Sequence, residues 1–311
     1  MSRIHEALKK ATQERSAVST SDVIASPPTP MAAMPTASEA ENSLDVVVPA
    51  SHAVRIATAP SDYLRFDDLR TRCRHPQWSL DSNLNVFGNG GLSVQAAEQF
   101  RTLRSRLYQI RANQSLRTLL VTSSIPSEGK TFVANNLTQA IVRQPERRTL
   151  AIDGDLRCAR LHRALGAPLA PGLTEYLRGE VDEMAIIQHG QEGNLCFIPA
   201  GEEVTNPSEL LSNGRLKELL DRIAPVFDWI IIDSPPCLAV ADASILATLC
   251  DGVLLVVRAG STPTEMAQKA WQELQTKNVM GVVLNAVDEG DIHDSYYYQS
   301  YGYNGSKPVQ R

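Results

Sequence analysis

The sequence predicts an α/β fold: a mostly parallel sheet flanked by helices, preceded by a disordered N-terminal region. Two observations predict it. Short, nearly unbroken apolar runs recur at 119–123 (LLVTS), 149–153 (TLAID), 195–200 (LCFIPA), 229–233 (WIIID), 252–257 (GVLLVV) and 281–287 (GVVLNAV), with helical segments between them. Strands buried on both faces lose their polar alternation, and helical crossovers join parallel neighbours. Ahead of residue 92 this rhythm is absent.

The elements divide the chain into four stretches. Residues 1–16 place Ile4, Ala7, Leu8 and Ala11 at helical spacing amid charge, which suits a short amphipathic helix, although a helix of this length without a partner is marginal. Residues 17–91 read as a disordered or partly ordered linker. Its first part is rich in Ser, Thr, Ala and Pro (SPPTPMAAMPTAS), whereas 61–91 carry Tyr63, Leu64, Phe66, Leu69, Trp78, Leu84, Val86 and Phe87, for which partial order is expected. Residues 92–290 form the main domain. It opens at Ser93, a candidate cap for a helix whose Phe100, Leu103, Leu107 and Ile110 make one apolar stripe. Residues 291–311 read as a flexible, tyrosine-rich tail.

Composition narrows the function. The chain has 311 residues, a net charge of -5 and a pI near 5.7, so no global basic field favours nucleic acid or an anionic membrane. Five scattered cysteines without a CxxC pair suit reduced thiols in a cytoplasmic setting, not a disulfide framework or zinc site. No apolar run reaches the roughly 18 residues of a membrane span, and the opening MSRIHEALKKATQERS has no signal-peptide core. Any work at a membrane would then require recruitment by another chain.

After the strand LLVTS comes SSIPSEGKTF and then the helical ANNLTQAIV. Strand, loop and helix N-terminus together form the setting in which backbone N–H groups cradle phosphate. Ser124, Ile125, Pro126, Ser127, Glu128, Gly129, Lys130, Thr131 and Phe132 are the candidate nucleotide contacts, with Lys130 for the β/γ-phosphates of ATP and Thr131 for Mg2+. The fold expected is that of a P-loop NTPase. One departure stands out: Ser124 occupies the place of the first Gly in G-x-x-x-x-G-K-[ST].

Asp153 and Asp155 end the second run and Asp233 ends the fourth, at the strand ends where open α/β sheets bind ligands. Asp153 or Asp155 suits holding a cation or taking a proton from a hydroxyl, with Arg157 offsetting their charge; a solvated acidic turn is the competing reading. Asp233, with Thr131, suits orienting magnesium, often through water. Asn285, after the last run, is either an adenine contact or a structural strand-end residue.

These residues resemble the bacterial tyrosine kinase family over residues 92–303. Thr122 to Phe132 is similar to the family's Walker A, Asp153, Asp155 and Arg157 to its second acidic motif, Asp233 to its Walker B aspartate, and PAGEEVTNPSELL (199–211) to the stretch before that strand. Glu98, Arg101 and Arg104 (E-x-x-R-x-x-R) resemble the family's self-assembly motif, against the plainer reading of a charged helix face. Tyr296, Tyr297, Tyr298, Tyr301 and Tyr303 look like its autophosphorylated cluster, interleaved with Gly, Ser, Asn and Gln and lacking the aliphatic neighbours of a packing patch.

The resemblance implies an ATP- and Mg2+-dependent autokinase acting in trans within a ring-like homo-oligomer and regulating polysaccharide synthesis and export. It also implies a membrane polysaccharide co-polymerase as activator, recruiting the chain to the inner face of the membrane, and a tyrosine phosphatase that resets it. The alternatives are a partitioning or septum-positioning ATPase, whose signature lysine position holds Ile125 here, and a catalytically silent assembly adaptor.

Overall fold

The computed structural model describes residues 65–88, 94–190 and 193–287. The proposed N-terminal helix, most of the linker, the Ser93 cap and the tyrosine cluster lie outside these residues. Seven strands form one sheet: β1 (Thr118–Ser123), β2 (Thr149–Asp153), β3 (Gln188–His189), β4 (Leu195–Ile198), β5 (Trp229–Asp233), β6 (Gly252–Arg258) and β7 (Val279–Asn285). Their order across the sheet is β3-β4-β2-β5-β1-β6-β7. Every pairing is parallel except β3 with β4, so six strands send their carboxyl ends to one edge.

The apolar runs conceal a period of two. Leu119, Val121, Trp229, Ile231, Leu254 and Val256 face one side, against the helices α2 (Val94–Arg111) and α3 (Lys130–Val142). Leu120, Leu150, Ile152, Ile230, Ile232, Val253 and Leu255 face the other, against helices that include Leu173–Arg178, Arg215–Ile223, Asp242–Ala247 and Thr264–Leu274. Both faces being covered, each strand residue is chosen for volume, and no polar position marks the alternation.

Two features escape the apolar pattern. β3 is a two-residue polar strand, Gln188 and His189, that closes the edge in antiparallel sense. Residues 65–88, N-terminal to the boundary expected at 92, pack on the same sheet. The helix α1 (Phe66–Arg72) buries Phe66 and Leu69, and Arg74 bridges to Gln188 beyond β3. Trp78 stands edge-on to Phe197 at 6.2 Å. Asn135 and Asn136 of α3 each donate to the Leu84 carbonyl, and Asn136 accepts from Val86 N–H, so this segment is pinned to the helix that begins at Lys130.

The three charges on α2 divide into unlike roles. Glu98 and Arg101 form an exposed ion pair at 2.9 Å. Arg104 is half-buried and donates to the Ala140 carbonyl in the last turn of α3. A guanidinium there satisfies an orphan carbonyl and complements the helix dipole. The Arg104→Ala variant is therefore expected to lose about 1–2 kcal/mol of stability. Glu98→Ala and Arg101→Ala should each change it by under about 0.5 kcal/mol. Urea unfolding of the three variants checks this, and equal midpoints for all three would refute the distinction.

Candidate functional site: the cleft at the carboxyl edge of the sheet

The loop between β1 and α3 is held from several sides. Glu128 is buried and accepts from Ile125 N–H at 2.7 Å, from Arg258 N–H at 3.4 Å and from the Thr262 hydroxyl. Asn285 donates its side-chain amide to the Glu128 carbonyl at 2.8 Å. Glycine is required at 129: its φ is 92°, and a Cβ there would lie 2.1 Å from Asn285 Nδ2. Ser124 lies outside the left-handed region, which in this loop is occupied by Ser127 (φ 68°) and Gly129, so a serine fits where the consensus has its first glycine. Glu128, read from sequence as a nucleotide contact, and Asn285, read as either an adenine contact or a structural strand-end residue, both use their side chains to shape the loop. Pro126, Ser127, Gly129, Lys130, Thr131 and Phe132 line a cleft of about 820 Å³ beside it.

Parallel pairing places the acidic residues together. β2 and β5 register Asp153 directly beside Asp233, and both are fully buried. Lys130 Nζ lies 2.9 Å from Asp155 Oδ2 and 3.9 Å from Asp233 Oδ1. Thr131 donates its hydroxyl proton to Asp233 Oδ2 at 2.6 Å. The remaining Asp233 oxygen, Oδ1, is buried with no hydrogen-bond donor among the described residues. Asp153 does not line the cleft: its Oδ2 accepts from the Arg160 and Leu161 N–H groups at 3.1 and 3.0 Å, and its Oδ1 from Asp155 N–H at 3.3 Å. Asp155 lines the cleft, its Oδ1 accepting from Cys158 N–H at 3.0 Å.

Arg157 does not offset Asp153 or Asp155 by contact, as sequence reading expects. Its guanidinium reaches Asp242 at 2.8 Å and Ser208 at 3.0 Å, on the neighbouring helices. The hydrogen bond to Asp242, against the arginine's own slight burial, is what raises its pKa. Glu98, Arg101 and Arg104 on α2 belong to none of these contacts.

The comparisons with known proteins agree with this geometry. Residues 127–279 match the AAA_31 family, described as an AAA domain. The chain is 34% identical over 213 residues to the tyrosine-protein kinase YwqD of Bacillus subtilis, covering 68% of this chain and 87% of that one. The chain belongs to the bacterial tyrosine-protein kinase family. A second relative, the tyrosine-protein kinase etk of Escherichia coli K12, is 33% identical over 246 residues, which make up 76% of this chain and 33% of the relative's length. Among solved structures, the kinase domain of Escherichia coli ETK superposes with a TM-score of 0.60 at 31% identity, covering 70% of this chain and 80% of that one. The BceF tyrosine kinase domain gives 0.58 at 28% identity, covering 68% and 91%.

The cleft of this bacterial tyrosine kinase also contains residues that sequence reading passed over. Pro235 and Pro236 follow the Asp233 strand directly and form part of the wall. Leu84 reaches it from the N-terminal segment, and Arg160 and Arg163 stand at its rim. The S-P-P after WIIID was a visible signal for the prolines. Thr262, which holds Glu128, sits in a loop with no pattern to mark it.

Crowding of carboxylates sets the electrostatics. Burial, then the Asp233 carboxylate, pushes the Asp153 carboxyl up to about 8, against the opposing N–H of Leu161. Asp233 is likewise raised by burial, with Lys130 and the Thr131 hydroxyl opposing the shift. Burial works to lower the Lys130 pKa, but attraction to Asp233 and Asp155 outweighs it and the ammonium is held charged. An acid whose folded-state pKa exceeds its unfolded value near 4 supports the fold fully below that value and progressively less as pH rises toward 8. Asn at 153 keeps an oxygen for the Arg160 and Leu161 N–H donors without the charge, giving up only the longer 3.3 Å bond from Asp155 N–H. Without nucleotide or magnesium, Asp153→Asn should melt about 3–6 °C above wild type at pH 8, with a smaller gap at pH 5. Calorimetry checks this, and a wild type as stable as the variant at pH 8 would contradict it.

Proposed function

We propose that this chain transfers the γ-phosphoryl group of ATP to Tyr296, Tyr297, Tyr298, Tyr301 and Tyr303 of a second copy of itself, and thereby regulates exopolysaccharide or capsule synthesis and export. The observation that carries this reading is the convergence of Lys130, Thr131, Asp155 and Asp233 beside a phosphate-type loop, in a chain of the tyrosine kinase family. ATP is the phosphoryl donor; loop N–H groups and Lys130 hold its β- and γ-phosphates. Magnesium fits Thr131 and Asp233: the threonine hydroxyl donates its hydrogen bond to Asp233, leaving its own lone pairs free, and Asp233 Oδ1 has no hydrogen-bond donor among the described residues. Among the described residues no three His, Cys, Asp or Glu side chains are grouped to chelate a metal by themselves, which suits an ion shared with phosphates and waters. Bound there, magnesium supplies charge neutralisation for the phosphates.

Asp155, rather than Asp153, is the residue placed to act on the acceptor, because it faces the cleft while Asp153 is held from behind. A tyrosine phenol with a pKa near 10 enters protonated. Its oxygen bonds to the γ-phosphorus as the β–γ bridging bond breaks, ADP leaves, and the phenol proton passes to Asp155. Among the described residues no helix is long and apolar enough to cross a membrane. A membrane polysaccharide co-polymerase would bring the chain to the membrane's inner face, and a tyrosine phosphatase would reset the tail.

With ATP and magnesium, the wild type is expected to gain phosphotyrosine, whereas Lys130→Met and the five-fold Tyr→Phe tail variant should gain none. Anti-phosphotyrosine blotting reads the result, and label on either variant rejects the site or the acceptor. The Lys130 side chain is only 12% exposed and neutralises Asp155, so its variant is also expected to melt lower; the tail variant should not.

Glu98 and Arg101 are the exposed part of the assembly motif. The pair Glu98→Ala/Arg101→Ala is expected to stay folded but to remain monomeric and label poorly where the wild type associates. Light scattering decides this, and equal association of the two would remove the assembly role.

A further inference from the structure

One rim of the cleft carries charge that the phosphate half does not use. Arg157, Arg160 and Arg163 follow one another at three-residue spacing, and all three line the cleft that holds Lys130 and Asp155. Arg157 is committed to Asp242. Arg160 and Arg163 are exposed, and among the described residues neither guanidinium has a hydrogen-bond or ion-pair partner. What holds this stretch in place is backbone: the Arg160 and Leu161 N–H groups donate to Asp153. The two guanidinium groups thus stand on a backbone held at Arg160 and Leu161, in the same cleft that Asp155 lines, in a chain whose net charge is -5.

The tyrosine cluster has a matching sign. Asp288, Glu289, Asp291 and Asp294 precede Tyr296, and no lysine or arginine lies among them. In an extended acceptor, Asp294 would sit roughly 7 Å from the reacting tyrosine and Asp291 roughly 16 Å, at 3.3 Å per residue. These spacings suit charges on the wall of an ~820 Å³ cleft. We infer that Arg160 and Arg163 form a subsite for acidic peptide immediately N-terminal to the acceptor tyrosine, so that the enzyme selects tyrosines preceded by carboxylates. The inference deepens the autokinase reading above and rests on it. Arginine suits the task because it keeps its charge at any working pH and meets a carboxylate with two parallel N–H donors.

The test uses the full chain with its five tail tyrosines changed to Phe, so that its own tail does not compete as acceptor. Two synthetic peptides spanning residues 288–303 are supplied with ATP and magnesium. One has the native acids, and the other carries Asp288→Asn, Glu289→Gln, Asp291→Asn and Asp294→Asn. The native peptide is expected to show a KM about fivefold or more below the neutral one in low salt, with the gap closing near about 0.5 M salt. In an enzyme that also carries Arg160→Glu and Arg163→Glu, the preference should invert toward the neutral peptide. Such an inversion is not produced by a merely structural role.

Equal KM values for the two peptides with the arginines intact would overturn the inference while leaving the kinase reading standing. So would a preference that survives the double reversal. A rise in the KM for ATP, with the peptide preference unchanged, would assign the arginines to nucleotide and equally overturn it. If neither peptide is labelled, although the wild-type chain labels itself, the tail segment is not recognised through its local sequence and the subsite falls. If the wild-type chain also fails to label itself, the kinase reading falls first and the subsite with it.

Discussion

The arrangement depends on two buried carboxylates lying side by side. Asp153 and Asp233 terminate adjacent parallel strands in register, and neither side chain reaches solvent. Such a pair is unfavourable unless cations, donors or protons compensate it. Each neighbour answers that demand: Lys130 reaches between Asp155 and Asp233, Thr131 donates to Asp233, and three backbone N–H groups donate to Asp153. Asp233 Oδ1, which has the Lys130 ammonium at 3.9 Å but no hydrogen-bond donor among the described residues, is the oxygen left for a cation. Under the proposed reading, the electrostatic tension of the folded chain is what would favour a charged substrate complex.

Much of this was legible because the fold needs it written locally. The six apolar runs correspond to six strands, since a strand buried on two faces tolerates little else, and TLAID and WIIID match β2 and β5 residue for residue. β7 begins two residues before the run that marks it, at Val279, where Val-Met precede a glycine. Gly129-Lys130-Thr131 was legible for the same reason: a left-handed cap, a charge and a hydroxyl must follow one another in the chain. Ser124 shows where a consensus overstates its physics, because the first glycine is needed only where the backbone turns left-handed, and here it does not.

The parts that escaped are those fixed by residues far apart in sequence. Nothing near Arg104 reveals that the Ala140 carbonyl lies within its reach, so an arginine read as part of an exposed assembly face is half-buried against α3. Arg157 looks like a counter-charge for its own motif, yet Asp242, 85 residues away, takes it. β3 is too short and polar to form a pattern; its place comes from Arg74 on one side and β4 on the other. Asn285 was left between nucleotide and structure, and its amide closes on the Glu128 carbonyl across 157 residues.

These long-range contacts share a destination, which accounts for the division of labour in the cleft. Glu128 is gripped by Thr262 and Arg258 from the end of β6 and by Asn285 from the end of β7. Leu84 and Val86 grip α3 from the other side. The phosphate half of the cleft is therefore built of parts with little freedom to relax, as electrostatic stabilisation of a phosphoryl group requires. The opposite rim, from Arg157 to Arg163, is anchored through its backbone at Asp153, while two of its arginine side chains have no partner among the described residues. A rigid donor half suits a nucleotide that is the same at every turnover. Under the proposed autokinase reading, a charged but loosely held rim would suit a tail that carries five tyrosines at different positions.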